Sequence, residues 1–216
     1  DVFAGLKRAP ESLRERIAAI PGVAQVETRV VADVHLDVAG FAEPITGRLV
    51  SIPDNREPRL NRLYLRQGRL TAVDRDDEVI VSEAFAQAHR LAPGAKLRVV
   101  INGRRQTLTI VGTALSPEYI YQLRPGSMFP DYQRYGVFWM GRRALGVAYG
   151  MEGAFNNVVV GLSDARAPAV IDELDRLLTP YGGLGAHDRE DQPSHHFMSE
   201  EFRNIALSAT LFPVLF

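Results

Sequence analysis

A mixed α/β chain is predicted, with strand-like and helix-like stretches alternating from end to end. Three observations carry this expectation. Apolar residues recur at helical spacing in short stretches such as Phe85, Ala88 and Leu91. The even positions from Val26 to Val38 are apolar or threonine, while the odd ones are mostly charged. Two strand-like runs meet at Asn102-Gly103. The 216 residues suit one large domain or two small ones.

Taken in order, Pro10 to Ile20 reads as a short helix with Leu13, Ile17 and Ile20 on one face, ended by Pro21-Gly22. Val26 to Val38 predicts one long strand with a buried and a wet face, and Ile45 to Ile52 is its expected partner. Arg56 to Gly68 predicts a loop passing into a polar helical turn anchored by Leu60, Leu63 and Leu65. The charged stretch from Gly68 to Asp77 marks a first domain boundary.

The best-ordered passage runs from Asp77 to Tyr121. Val79-Ile80-Val81 reads as a buried strand, Ser82 stands at a helix N-cap, and Glu83 lies in the first turn, where the helix dipole favours a carboxylate. Pro93-Gly94 stops that helix. Leu97 to Ile101 and Gln106 to Val111 flank Asn102-Gly103, which suits a type I′ turn because both central residues need positive φ. A two-residue turn sets Leu97 opposite Leu108, with Val99, Ile101 and Ile110 on the same face.

Ser116 to Tyr135 is a long irregular connection, a length that is often functional. Gly136 to Met140 is a strand, Arg142 to Tyr149 a short helix, Ala154 to Leu162 a strand, and Pro168 to Leu178 a helix. Tyr181 to Pro193 is polar and glycine-rich, so a loop is expected. Ser199 can cap a last helix leading into Ile205 to Phe216, which carries no charge. That run reads either as a core helix or as the first turns of a membrane-spanning helix, which needs ~20 such residues. Asp1 is no start methionine, and no signal peptide is visible, so the chain reads as a piece of a longer protein.

Composition excludes some functions. A net charge of −1 shows no basic stripe for nucleic acid. Without cysteine there is neither a disulfide framework nor a thiolate zinc site. The most enzyme-like cluster is His187, Asp188, Glu190, Asp191, His195 and His196, the residue types of a metal-dependent hydrolase. Its spacing matches no helical histidine pair, which favours a solvated linker. Gly182-Gly183-Leu184-Gly185 lacks the lysine and serine of a phosphate loop. Tyr119, Tyr121, Phe129, Tyr132 and Tyr135 suit either a contact surface for a partner or cargo, or a satellite core under the long connection. No catalytic residue, cofactor or metal ligand is assigned.

Across nearly its whole length the chain resembles the extracytoplasmic domain of MacB/FtsX-like ABC transporter permeases. The resemblance rests on Asp1-Val-Phe-Ala4, Leu6-Lys-Arg-Ala-Pro10, Ile20-Pro-Gly-Val23, Glu27-Thr-Arg29 and Gly68-Arg69. It continues through Glu78-Val-Ile-Val-Ser-Glu83, Leu91-Ala-Pro-Gly94, Ile101-Asn-Gly-Arg104, Ile110-Val-Gly112, Leu115-Ser-Pro-Glu-Tyr-Ile120 and Gly153-Ala-Phe-Asn156. It implies a MacB-like periplasmic core: a βαβ porter part, 1–75 and 136–198, carrying an inserted Sabre part, 76–135. Residues 199–216 would form a stalk helix entering the membrane. It also implies a permease dimer in the bacterial inner membrane, driven by a cytoplasmic ABC ATPase. A periplasmic adaptor, or lipid or lipoprotein cargo, would lie outside. A free-standing periplasmic binding module is the other non-enzymatic alternative.

Overall fold

The computed structural model describes residues 1–38, 45–54, 56–127, 129–163, 167–192, 194, 198 and 199. Two sheets organise them. The first has the order β11-β1-β10-β2, from Gly183–Asp188, Val2–Pro10, Ala154–Leu162 and Val23–Arg29, with every pairing antiparallel. Helix α1 (Leu13–Ala18) joins β1 to β2, and α4 (Ala167–Leu178) joins β10 to β11, with a short 3-10 turn (Thr179–Tyr181) after it. This is the β-α-β-β-α-β pattern of a split βαβ unit. Leu13, Ile17, Val170, Leu174 and Leu178 cover one face of the sheet over Val2, Ala4, Val26, Val158 and Val160.

The second sheet fills the connection between β2 and β10. Its order is β5-β8-β6-β9-β4-β3-β7, from Tyr64–Gly68, Arg104–Leu115, Glu78–Ser82, Tyr135–Gly141, Ile45–Ile52, Val31–Asp37 and Lys96–Ile101. Pairing of β7 with β8 closes six of these strands into a barrel, with β5 beside the far half of β8. The barrel interior holds Val34, Leu49, Val79, Leu97, Leu108 and Phe138. Helices α2 (Glu83–Ala88) and α3 (Arg142–Ala148) add Phe85 and Leu145 to it. A third core of Val50, Ile52, Ile80, Val137 and Trp139 lies on the outer side of β4, β6 and β9. Burial on both faces explains the continuous apolar run Val79-Ile80-Val81.

The hairpin forms as the turn chemistry predicts. Asn102 and Gly103 take φ of 47° and 75°, and Leu97 pairs with Leu108. Glycine serves another need at Gly47 and Gly136, which pair across β4 and β9. A Cβ on Gly47 would stand 2.4 Å from the Phe138 ring, and one on Gly136 2.6 Å from Phe85, so the two rings occupy the space that side chains would take.

Several expectations are corrected. Val26 to Val38 is two strands in different sheets: pleated alternation continues through Val30, but the hydrogen-bond partners change there. Glu27, expected on a wet face, is 6% exposed and buried. Gly183–Asp188 is a strand, not loop, because edge pairing with β1 needs no apolar pattern, and Val2–Pro10, where no strand was expected, is the strand between it and β10. The helical turn expected before Gly68 is instead strand β5. Ser82 stands at the N-cap but makes no cap hydrogen bond, since its hydroxyl donates to Gln122 Oε1 at 2.7 Å. The sheets also divide the chain near 30 and 142–153, whereas the expected insert was 76–135, because β3, β4 and β5 hydrogen-bond within the barrel.

Among the described residues, no helix is long and apolar enough to cross a membrane. The expected stalk beyond Ser199, including the apolar run 205–216, lies outside the described residues.

Candidate functional site

The face of the split sheet turned away from its helices is mixed polar and apolar. Strand register lines up His187, Phe3, Val159 and Glu27 in one row, and Gly5, Asn157 and Arg29 in the next. This face meets the barrel along a seam built mainly from hydrogen bonds.

At the crossing from β2 to β3, the Val30 N–H donates to Ser51 Oγ at 2.8 Å, and the Ser51 N–H donates to the Val30 carbonyl at 2.9 Å. One residue on, the Asn156 side chain accepts from Val31 N–H and donates to the Val31 carbonyl, both at 2.8 Å. The Asn156 amide thereby does what a neighbouring strand would, and pins β3 of the barrel to β10 of the split sheet.

Beside it, Arg29 donates to both carboxylate oxygens of Glu118, at 2.5 and 2.8 Å, and to Asn157 Oδ1. Asn61 Nδ2 donates to the same carboxylate at 3.0 Å, and Asn61 Oδ1 accepts from Arg189 at 2.9 Å. The Arg29 and Glu118 side chains are 11% and 4% exposed. Burial by itself would weaken the Arg29 cation, but the charge and hydrogen bonds of Glu118 outweigh it and hold the guanidinium above its ordinary pKa. Glu27 is satisfied in the same manner by Arg56 and the Arg59 N–H. A planar fork against a carboxylate fixes both distance and angle between the two bodies.

Two hollows flank the Glu118 carboxylate. The larger, about 750 Å³, is lined by Glu27, Arg29 and Val159 of the split sheet and by Ile52, Trp139 and Arg142 from the barrel side. The smaller, about 200 Å³, is lined by Phe3, His187, Tyr119, Tyr121, Tyr135 and Ser194, among others.

No protein-family model and no curated protein sequence matches the chain. Solved structures do. The extracellular domain of the noncanonic ABC-type transporter YknZ from Gram-positive bacteria superposes with a TM-score of 0.55 at 14% identity, over 87% of this chain and 100% of that one. The periplasmic region of MacB from Actinobacillus actinomycetemcomitans gives 0.51 at 14% identity, over 94% and 92% of the two chains. The chain has the MacB-type extracytoplasmic fold.

Within this MacB-type fold the five aromatic residues singled out from sequence separate. Tyr119, Tyr121 and Tyr135 come together at the smaller hollow. Tyr119 also packs edge-on to Trp139, with ring centres 6.5 Å apart, and Tyr135 is a buried β9 residue. Burial, then the nearby Glu118 charge, pushes the Tyr119 phenol well above its usual pKa, so the hydroxyl keeps its proton. Tyr132 is half-buried, while Phe129 is 70% exposed and lines neither hollow.

The histidine and carboxylate cluster behaves as structure. His187 lies on β11 and stacks on Phe3 at 5.8 Å. Asp188 Oδ1 accepts from the backbone N–H of Glu190 and of Asp191. Among the described residues no three such groups converge as metal ligands, and His195 and His196 lie outside the described residues. Arg29, Glu118 and Asn156 lie in stretches that carry the family resemblance and Asn61 does not, but none of these seam residues was singled out from sequence as a site residue. Their partners are 57 to 128 residues away, and no local pattern marks them.

Proposed function

We propose that this chain is the non-catalytic extracytoplasmic domain of an ABC transporter permease. It couples ATP-driven motion of membrane helices to the handling or export of a substrate on the periplasmic side of a bacterial inner membrane. The observation that carries this reading is the pairing of Val2 with Asp188. The described chain enters and leaves its split sheet side by side, as a domain held between two membrane helices requires. The Asp1 carboxylate takes the Arg189 guanidinium, which ties entry and exit together. The shared fold supports the same assignment.

In this reading the split sheet is the porter part, directly joined to the membrane segments. The barrel is the Sabre part, joined to the porter at Val30 and through the segment after α3. The partners are a cytoplasmic ABC ATPase, a second permease copy, and a periplasmic adaptor or a lipid or lipoprotein cargo. The exposed Phe129 and the half-buried Tyr119 and Tyr121 at the smaller hollow are the surface offered to them.

The coupling has a direct test, because these 216 residues hold no cysteine. A single spin label at Leu184→Cys, an exposed β11 position, reports one distance between the two copies of a full-length permease assembled with its ATPase. That distance should differ between the nucleotide-free and ATP-trapped states. An unchanged distance in an assembly that hydrolyses ATP would refute the coupling.

A further inference from the structure

The larger hollow carries chemistry that the seam does not consume. Its acids are largely engaged: Glu27 by Arg56, Glu118 by Arg29 and Asn61, and Asp54 by the Arg143 N–H. Of its guanidiniums, Arg29 and Arg56 are engaged with those acids, but Arg14, Arg59 and Arg142 are less fully used. Among the described residues Arg59 uses only its backbone N–H, and Arg14 reaches the Val26 carbonyl at 3.5 Å, the edge of a hydrogen bond.

Arg142 is held across the seam through one of its two terminal nitrogens. One nitrogen, Nη2, donates to the Ala154 carbonyl at 2.5 Å and meets Glu11 Oε2 at 3.3 Å. The other, Nη1, is the one buried side-chain nitrogen or oxygen without a hydrogen-bond partner among the described residues. A buried polar group left in that condition calls for a partner. Glu11 is 42% exposed on the lining of the same hollow, held also by the Thr28 hydroxyl, and its carboxylate is the acid that Arg142 meets. Leu60, Leu63 and Met151 supply an apolar wall.

We infer that this cleft binds a small ligand bearing a carboxylate or phosphate on an apolar body. The acid group exchanges for Glu11 at Arg142, with Arg59 and Arg14 at the rim, and the apolar part lies along Leu60, Leu63 and Met151. A cleft of this volume with a few converging polar groups suits such a ligand. Arginine suits it too, since its fork matches either oxyanion in two-point contact. The ligand touches residues of both the split sheet and the barrel, so binding favours the joined arrangement. The inference rests on the cleft alone and holds whether or not the chain works in a transporter.

Trp139 lines the cleft and is the one tryptophan of the sequence, which makes its fluorescence a local reporter. Octyl phosphate, kept below its micelle concentration, should change that fluorescence saturably with one site per chain and raise the melting temperature. Inorganic phosphate should bind at least about tenfold more weakly, and octyl glucoside should not compete. Glu11→Gln should tighten octyl phosphate several-fold by removing the internal competitor. Arg59→Gln, whose side chain makes no hydrogen bond among the described residues, should weaken it about tenfold. Absence of a saturable change overturns the inference. So does octyl glucoside binding as well as octyl phosphate, inorganic phosphate matching it, or Glu11→Gln and Arg59→Gln shifting affinity in the same direction.

Discussion

Replacing Glu118 with alanine should destabilise the chain by about 3–5 kcal/mol, read from urea unfolding followed by Trp139 fluorescence. The charge of Arg29 is what makes the loss large. At 11% exposure its guanidinium cannot turn to water, and only the Asn157 side-chain oxygen would remain as its partner. An exposed pair offers the contrast. Arg98 and Asp37 are 60% and 68% exposed, and Asp37→Ala should cost no more than about 1 kcal/mol. Removing both buried partners together, as Arg29→Met with Glu118→Leu, should cost less than Glu118→Ala alone, because no uncompensated charge then remains. A double variant less stable than the single one would mean that the pair stabilises the seam beyond satisfying its own charges.

Phe85→Ala should be of similar size, about 3–5 kcal/mol, for a different reason. Phe85 is fully buried in the barrel core and meets Phe138 edge-on, with ring centres 5.1 Å apart. Gly47 and Gly136 lie against these rings without side chains, so those two positions of the barrel wall have no side chain to move into the space left by the lost ring. A cavity that cannot collapse is the costly kind. Phe129→Ala, at a 70% exposed position, should stay within about 0.5 kcal/mol of the parent under the same urea titration. Equal effects at the two positions would contradict the placement of Phe85 in the core.

The contrast between these sites also shows what could be read in advance. The hairpin at Asn102-Gly103 was legible down to the Leu97–Leu108 pair, because turn type and pleat alternation are local properties. The helices α3 and α4 and strand β10 were legible for the same reason, each having its own period or cap. What escaped depends on distant partners. The alternation from Val26 to Val38 continues unbroken past Val30, since a two-residue period says which side a residue faces but not which sheet it belongs to. The apolar pattern is equally silent about Gly183–Asp188, a strand formed by backbone pairing at a sheet edge. Glu27 and Arg29 looked like a wet face because charges alternate there. The compensating groups come from Arg56 and Glu118, which sequence spacing cannot bring near. The five aromatic residues of the long connection read alike in the sequence, and the division between packed Tyr135 and exposed Phe129 was not legible there.

The central claim is that this fold stands outside the membrane as part of a permease. Phe129→Cys, in a background with no cysteine of its own over these 216 residues, tests it in intact cells expressing the full-length protein. A membrane-impermeant maleimide should label that exposed position from the periplasmic side once the outer membrane is opened, with the parent that lacks Phe129→Cys as the blank. Labelling that appears only after the inner membrane is disrupted would place the domain in the cytoplasm and contradict the account.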